Sequence, residues 1–241
     1  MLKIAVIIPA LNEEKAIGEV LLHIPRNLVT KVVVVDNNSS DGTAEVARSF
    51  GATVIHESQI GYGFACLKGI EYVMSSISGA EIIVFLDADY SDYPEQMRCL
   101  VQPITQDDYD MVVGSRFLGS RHSGAMPWHQ VLGNRLAVAM INWLYSVHYT
   151  DLGPFRAIKL DKLLKLHMGE KRYGWTAEMQ VKASKRKLRV TEVPVTYRTR
   201  IGHSKISGTF KGTICAGFAI LSTIIKNRLA NDGHSLQYNN R

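Results

Sequence analysis

The sequence is poor in cysteine and lacks a long apolar run. Its three cysteines are far apart and show neither Cys-x-x-Cys nor Cys/His metal spacing, which excludes a disulfide or zinc framework. The uncharged stretch 212–225 is shorter than the roughly 20 apolar residues that a membrane-spanning helix needs. The first residues combine a lysine, a short apolar run, Pro9 and two acids, a pattern typical of a buried strand and not of a signal peptide.

The composition is that of an ordinary globular protein, with 46% hydrophobic and 21% charged residues among 241. The net charge of +6 favours anionic partners: phosphorylated small molecules, nucleic acid or a membrane surface. Charge alone does not choose among these. Since the aromatic residues typical of RNA-recognition modules are missing, no nucleic-acid partner is expected.

Short apolar runs alternate with helical patterns over the first hundred residues. This alternation predicts an α/β fold with a mainly parallel central sheet flanked by helices. The predicted strands cover residues 2–8, 31–35, 53–56, 81–86 and 110–114. Polar residues follow three of these strands, among them Asp36, Asp87 and Asp89. Because ligands bind beyond the carboxyl ends of parallel strands, we expect one cleft at this edge of the sheet.

Further segments complete the predicted domain. Asn12 is positioned to cap the first helix, residues 114–126 resemble a flexible lid, and residues 131–147 predict an amphipathic helix interrupted at Asn134 and Arg135. Residues 210–229 predict a C-terminal amphipathic helix, which either packs on the domain or docks on a membrane surface. We therefore expect one domain over residues 1–230, with halves 1–115 and 116–210 before the last helix, and a flexible tail over 231–241.

An ordered set of motifs follows these strands. It consists of Pro9-Ala-Leu-Asn-Glu13, Val34-Val-Asp36 with Ser40-Asp-Gly-Thr43, Gly61-Tyr-Gly63, Leu86-Asp-Ala-Asp89, Val113-Gly-Ser-Arg116, Thr150-Asp-Leu-Gly-Pro-Phe-Arg156, Trp175-Thr-Ala-Glu178 and Gly202-His-Ser-Lys205-Ile-Ser-Gly208. A lone Asp-x-Asp triplet occurs often by chance. The full set resembles family 2 glycosyltransferases of the GT-A fold over roughly residues 2–210, nearest the dolichyl-phosphate mannose and glucose synthase branch.

The resemblance implies roles for individual residues. The sugar nucleotide, UDP- or GDP-linked, would be bound by Pro9, Asn12, Glu13, Asp36, Gly61, Gly63, Asp87, Ala88 and Asp89. Asp89, together with Asp87, would bind Mg²⁺ or Mn²⁺, which stabilises negative charge on the departing nucleoside diphosphate. Phosphate or acceptor contacts are expected from Arg116, Arg135, Arg156, Arg200 and Lys205, because guanidinium and ammonium groups bind phosphate oxygens. The expected catalytic set is Asp87, Asp89, Glu178 and Arg116.

We expect an inverting, metal-dependent transfer of a hexose from a nucleotide diphosphate sugar. The expected acceptor is a polyprenyl phosphate, and the expected location is cytoplasmic, peripheral at the cytoplasmic face of the membrane. One alternative is a soluble transferase with a hydroxyl acceptor, for which Glu178 would be the base that removes the hydroxyl proton. The other is a nucleotide- or nucleic-acid-binding module without catalysis.

Overall fold

The computed structural model describes residues 2–202 and 210–230. Lys205 and the predicted tail 231–241 lie outside these ranges. The described strands are β1 (Ile4–Ala10), β2 (Lys31–Asp36), β3 (Thr53–His56), β4 (Ile82–Phe85), β5 (Met111–Ser115), β6 (Arg156–Lys159) and β7 (Val190–Pro194). The described α-helices are α1 (Ile17–His23), α2 (Thr43–Ser49), α3 (Tyr62–Ser76), α4 (Met97–Gln106), α5 (Trp128–Tyr145), α6 (Leu160–Leu166), α7 (Trp175–Lys185) and α8 (Phe210–Leu229).

The seven described strands form one sheet in the order β3-β2-β1-β4-β6-β5-β7. All neighbours pair in parallel except β6, which is antiparallel to β4 and β5. The predicted α/β architecture with a mainly parallel sheet is confirmed. In the register Ala10 lies beside Asp36 and Ile7 beside Phe85, so β1, β2 and β4 end at the same edge.

The central strands are buried on both faces, which explains why their sequences are continuous apolar runs. One core cluster joins the sheet to α1 and α4, and a second joins the opposite face to α3 and α7. A third, smaller cluster lies between α5, α7 and α8. Within the described ranges, no helix has the length and apolarity that crossing a membrane requires.

Most predicted elements appear with bounds shifted by a few residues, and the helix 210–229 has the predicted bounds. The cap prediction for Asn12 is wrong: α1 begins after Ala16, and Asn12 has a left-handed φ of 54°. Its Oδ1 accepts the N–H of Ser40, so it ties two loops together instead. The predicted interruption at Asn134 and Arg135 is also wrong, because α5 continues through both.

Candidate active site

A cleft with a volume of about 530 Å³ opens at the carboxyl ends of β1, β2 and β4. The residues that follow the strands supply most of its charged side chains, and helices α5 and α8 supply several of its apolar ones. The polar wall includes Pro9, Glu13, Asn37, Gly61, Tyr62, Asp87, Ala88, Asp89, Arg116 and Arg200. The apolar wall includes Met126, Leu136, Ala137, Leu152, Ile220 and Leu221.

Asp87 and Asp89 directly follow β4 and line the cleft together. The Tyr62 hydroxyl donates to Asp87 Oδ1 at 3.0 Å, and the Ser91 N–H donates to Asp89 Oδ1 at 3.0 Å. Arg200 Nη1 lies 2.8 Å from Asp89 Oδ2. Burial, and then the neighbouring charge of Asp89, raise the pKa of Asp87 above its ordinary value. Two carboxylates in one water-poor cleft repel each other, and a bound cation relieves that repulsion.

The donor set suits a hard divalent cation. Both carboxylates offer oxygen ligands, and Mg²⁺ commonly binds one or two protein carboxylates while substrate phosphates and water complete its shell. Within 2–202 and 210–230 no group of three or more His, Cys, Asp or Glu residues forms a cage that could hold a metal by itself. The acids at the end of β4 therefore fit Mg²⁺ or Mn²⁺ bound jointly with a diphosphate.

The loop after β1 lies between two cavities. Pro9 and Glu13 line the main cleft, and Glu13 also lines a second cavity of about 400 Å³, whose wall includes Asn12 and Gly202. Asp36 ends β2 at the same edge of the sheet, but its side chain does not line the main cleft. Its Oδ1 accepts the N–H of Ser39, and its Oδ2 lies 3.2 Å from the His56 ring. Asp36 and Asp89 therefore lie at the same edge of the sheet, as expected from the motifs.

The Gly61-Tyr-Gly63 motif brings the start of α3 against the main chain of residues 170–171. A Cβ on either glycine would clash with a carbonyl oxygen there, that of Lys171 for Gly61 and that of Glu170 for Gly63. Only Gly61 lines the cleft. This close approach places Tyr62 where its hydroxyl reaches Asp87.

Arg116 faces the cleft from the end of β5. Its Nε and Nη2 donate to the two oxygens of Asp151, both at 2.7 Å, and Asp151 is fully buried. Glu192 in turn accepts the N–H groups of Thr150 and Asp151. Thus Arg116 is a cation held in a fixed orientation by a buried carboxylate.

Three further expected site residues lie outside the main cleft. Arg135 is exposed on α5 and does not line the cleft. Arg156 is fully buried, and its guanidinium donates to the carbonyls of Gly153 and Thr176, so the structure gives it a scaffold position and not a phosphate contact. Glu178 is buried on α7, away from the cleft, where it accepts the Glu170 N–H and pairs with Lys182 at 2.8 Å.

Several cleft residues are absent from the predicted site. Asn37 and Tyr62 each neighbour a predicted residue, and their position at a strand end or inside the glycine motif is the signal that could have found them. Asp151 does not line the cleft but belongs to the Thr150–Arg156 motif, and its role emerges only through its bond to Arg116. Asn134 lines the cleft from the middle of α5, where the sequence shows only a polar residue in an apolar helix.

Comparison with solved structures identifies the fold. Glucosyl-3-phosphoglycerate synthase from Mycobacterium tuberculosis, in complex with Mn²⁺, UDP-glucose and phosphoglyceric acid, matches with a TM-score of 0.73. The match covers 96% of this chain and 81% of that chain at 21% identity. The fold is GT-A, and the paired acids Asp87 and Asp89 lie at the strand ends of its sheet.

The family follows from the sequence. Residues 5–166 match the model of Glycosyl transferase family 2, and the chain belongs to this family. A dolichyl-phosphate hexose transferase of Haloferax volcanii is 32% identical over 231 residues, covering 94% of this chain and 96% of that protein. A UDP-N-acetylglucosamine–dolichyl-phosphate N-acetylglucosaminyltransferase of Methanococcus voltae is 30% identical over 215 residues, covering 80% and 84%. The chain is a glycosyltransferase similar to enzymes named for dolichyl phosphate.

Proposed function

We propose that this enzyme transfers a hexose from a nucleotide diphosphate sugar to a polyprenyl phosphate, with a divalent cation and with inversion at the anomeric carbon. The observation that carries the proposal is the continuity of the cleft. Asp87 and Asp89 line the same cleft as an apolar trough that includes Leu136 of α5 and Leu221 of α8. A molecule with a phosphate head and an apolar chain matches both kinds of lining.

The donor occupies the polar wall in this proposal. Pro9 and Glu13 hold the nucleoside side, helped by Asn12 at the second cavity and by Asp36 through the loop that it stabilises. Asp87 and Asp89 would hold Mg²⁺ or Mn²⁺. The cation supplies charge stabilisation for the leaving group. Arg200, now paired with Asp89, lies within reach of the same phosphates.

The reaction is a single displacement. A phosphate oxygen of the acceptor forms the new bond to the anomeric carbon, and the bond from that carbon to the diphosphate oxygen breaks with its electron pair on the diphosphate. Attack opposite the leaving group inverts the anomeric configuration. A phosphate monoester is anionic at neutral pH and needs no base to become a nucleophile. Arg116, fixed by Asp151, orients the acceptor phosphate.

The position of Glu178 favours this acceptor over a hydroxyl. A hydroxyl nucleophile needs a base within hydrogen-bond reach of its proton. Glu178 is buried outside the cleft, and its carboxylate accepts the N–H groups of Gly169 and Glu170. It therefore stabilises the loop before α7, and the rival mechanism loses the base assigned to it.

We further propose that the enzyme works on a membrane surface. The exposed side chains Trp128, Leu132, Leu136 and Trp143 recur at helical spacing along α5, and Phe218, Ile225 and Leu229 do so along α8; these seven are here named the α5–α8 face. Leu136 also lines the cleft. The 38 residues of the two helices contain Arg135, Lys211, Lys226 and Arg228 but no acidic residue. An apolar face with one sign of charge fits an anionic bilayer.

A transfer assay tests the proposed reaction. The protein is incubated with Mn²⁺, a radiolabelled UDP- or GDP-hexose and a short-chain prenyl phosphate, and labelled lipid is measured. We expect transfer that EDTA abolishes and that Asp89→Ala reduces at least a hundredfold, because one carboxylate of the cation site is lost. The exposed Asp107, at the end of α4, gives the matched control Asp107→Ala, which retains full transfer.

Two outcomes would contradict the proposal. Transfer to a hydroxyl acceptor with none to prenyl phosphates would reject the acceptor. Undiminished turnover of a folded Asp89→Ala protein would reject the cation site. Calorimetric titration with UDP- and GDP-hexoses in the presence of Mn²⁺ identifies the nucleotide independently of the acceptor.

A further inference from the structure

Two residues of α5 that line the cleft each carry a buried polar atom without a partner. Asn134 Nδ2 and His129 Nε2 make no hydrogen bond within the described ranges, and both residues line the cleft. The other buried side-chain atoms without a partner in those ranges belong to Asp92 and Trp175, which do not line it. A buried donor left unbonded costs about 1–3 kcal/mol, so native proteins seldom keep one without a ligand or water to accept its hydrogen.

The orientation of the Asn134 amide follows from its other end. Asn134 Oδ1 accepts the Leu152 N–H at 3.0 Å, so the NH₂ group is the end without a partner. Leu152 follows Asp151, the residue that holds Arg116. Asn134 and Arg116 are therefore anchored to adjacent residues and line one cleft.

The segment that anchors Asn134 and Arg116, residues 150–152, is itself held by hydrogen bonds to buried side chains. Glu192 accepts the N–H groups of Thr150 and Asp151, and the Gln180 amide donates to the Asp151 carbonyl at 3.0 Å. Asp151 and Gln180 are fully buried. A buried and fully bonded segment keeps its partners in place, so the two donors have a fixed relation to each other.

Asn134 shares the cleft with charged and apolar residues. Arg116 belongs to the polar wall, whereas Leu136 and Ala137, the next residues of α5 that line the cleft, belong to the apolar trough. A group bound at Asn134 therefore shares the cleft with the Arg116 cation and with these apolar side chains. The head of a lipid acceptor occupies such a position.

We infer that Asn134 and His129 form the binding site for the phosphate of the acceptor, together with Arg116. The inference rests on the proposed function and names the residues that hold its acceptor. The Asn134 NH₂ and the His129 ring, in the tautomer protonated at Nε2, donate to phosphate oxygens.

The test replaces the Asn134 donor by an acceptor of the same shape. In Asn134→Asp one carboxylate oxygen keeps the Leu152 N–H, and the other places negative charge where the phosphate binds. We expect the KM for a short-chain prenyl phosphate to rise at least tenfold while the KM for the sugar nucleotide stays within twofold. Inorganic phosphate, as a competitor of the acceptor, should inhibit this variant at least tenfold more weakly than the wild type.

Asn142→Asp is the matched control on the same helix. The Asn142 amide donates to the Tyr149 carbonyl and accepts the Tyr149 N–H, and it does not line the cleft. It should lower the melting temperature and leave the acceptor KM of the folded enzyme unchanged. His129→Phe, which removes the ring nitrogens, should raise the acceptor KM at least threefold and provides a second measurement should Asn134→Asp not fold.

The experiment distinguishes failure of the inference from failure of the proposed function. If the wild type transfers hexose to prenyl phosphate and both variants keep its acceptor KM, the inference is overturned and the proposed function stands. If the variants raise the KM for the sugar nucleotide instead, Asn134 belongs to the donor site and the inference is again overturned. If the wild type binds sugar nucleotide but transfers to no prenyl phosphate, the proposed function fails and the inference fails with it.

Discussion

Replacing the two tryptophans of α5 should detach the enzyme from lipid. Trp128 is 76% exposed and Trp143 is 81% exposed, although tryptophan is normally well buried in a protein whose surface contacts only water. In Trp128→Ser/Trp143→Ser the binding of the purified protein to acceptor-free vesicles of anionic phospholipid is measured by co-sedimentation. Leaving out the acceptor separates docking from catalysis.

The magnitude follows from the exposed area. A tryptophan buries about 200 Å² when fully covered, so each indole has about 160 Å² left to bury, worth about 4 kcal/mol at about 25 cal/mol per Å². Immersion of half of that area in the interface contributes about 2 kcal/mol per tryptophan. The double variant should then bind about 10³-fold more weakly, because about 1.4 kcal/mol corresponds to a tenfold change.

The control removes exposed apolar residues from other helices. Leu22 of α1 is 63% and Met74 of α3 is 55% exposed, and Leu22→Ser/Met74→Ser should bind vesicles like the wild type. Raising the salt concentration should weaken wild-type binding, since Arg135, Lys226 and Arg228 act through screened charge. A tryptophan variant that is folded and binds vesicles within threefold of the wild type would refute docking through the α5–α8 face.

Two further predictions concern buried and partly buried acids. Glu178→Gln should lower the free energy of unfolding, measured by urea titration, by about 2 kcal/mol, because charged hydrogen bonds to main-chain N–H groups are lost. Transfer per folded molecule should stay within twofold of the wild type. A hundredfold loss of transfer in the folded variant would restore Glu178 as a base. Burial acts to raise the pKa of Asp110, but the Arg189 N–H and then the neighbouring Lys162 and Lys159 outweigh it and lower that pKa. Because the folded-state pKa is the lower one, Asp110 contributes stability above the unfolded-state value of about 3.9 that is lost as the pH falls below it. The free energy of unfolding of Asp110→Asn should therefore be lower than that of the wild type at pH 7, and the two values should converge below about pH 4. A difference in the free energy of unfolding that stays constant across this range would contradict the assignment.

The sequence predicts the elements that form the polar wall of the cleft because their signals are local. β-branched runs such as Lys31–Asp36 define buried strands, and polar residues mark the points where these strands end. From that pattern alone Asp36 and Asp89 are expected at one edge, and the sheet places them there. The helix Phe210–Leu229 is likewise predicted with its bounds, because its apolar residues recur at helical spacing.

The sequence does not show which charged residues are buried, and this limits the prediction of the candidate site. The resemblance and the chemistry of their charged groups predict substrate roles for Arg156 and Glu178, and arginine and glutamate are seldom fully buried. Each instead bonds main-chain groups inside the protein, a compensation that depends on residues distant in the sequence. The strands β6 and β7 are missed for a related reason: β6 is four residues long and starts with that buried arginine, and β7 is only partly buried.

The buried charges nonetheless act on the cleft through the main chain. The Arg156 guanidinium donates to the Gly153 carbonyl and lies 3.4 Å from Gln180 Oε1, while the Gln180 amide donates to the Asp151 carbonyl. Asp151 in turn orients Arg116. Arg156, which does not line the cleft, thereby helps to fix Arg116, which does. Because a buried network loses its geometry when one member is left unpaired, we expect the Thr150–Arg156 motif to act as a unit in the proposed function, although of its seven residues Leu152 alone lines the cleft.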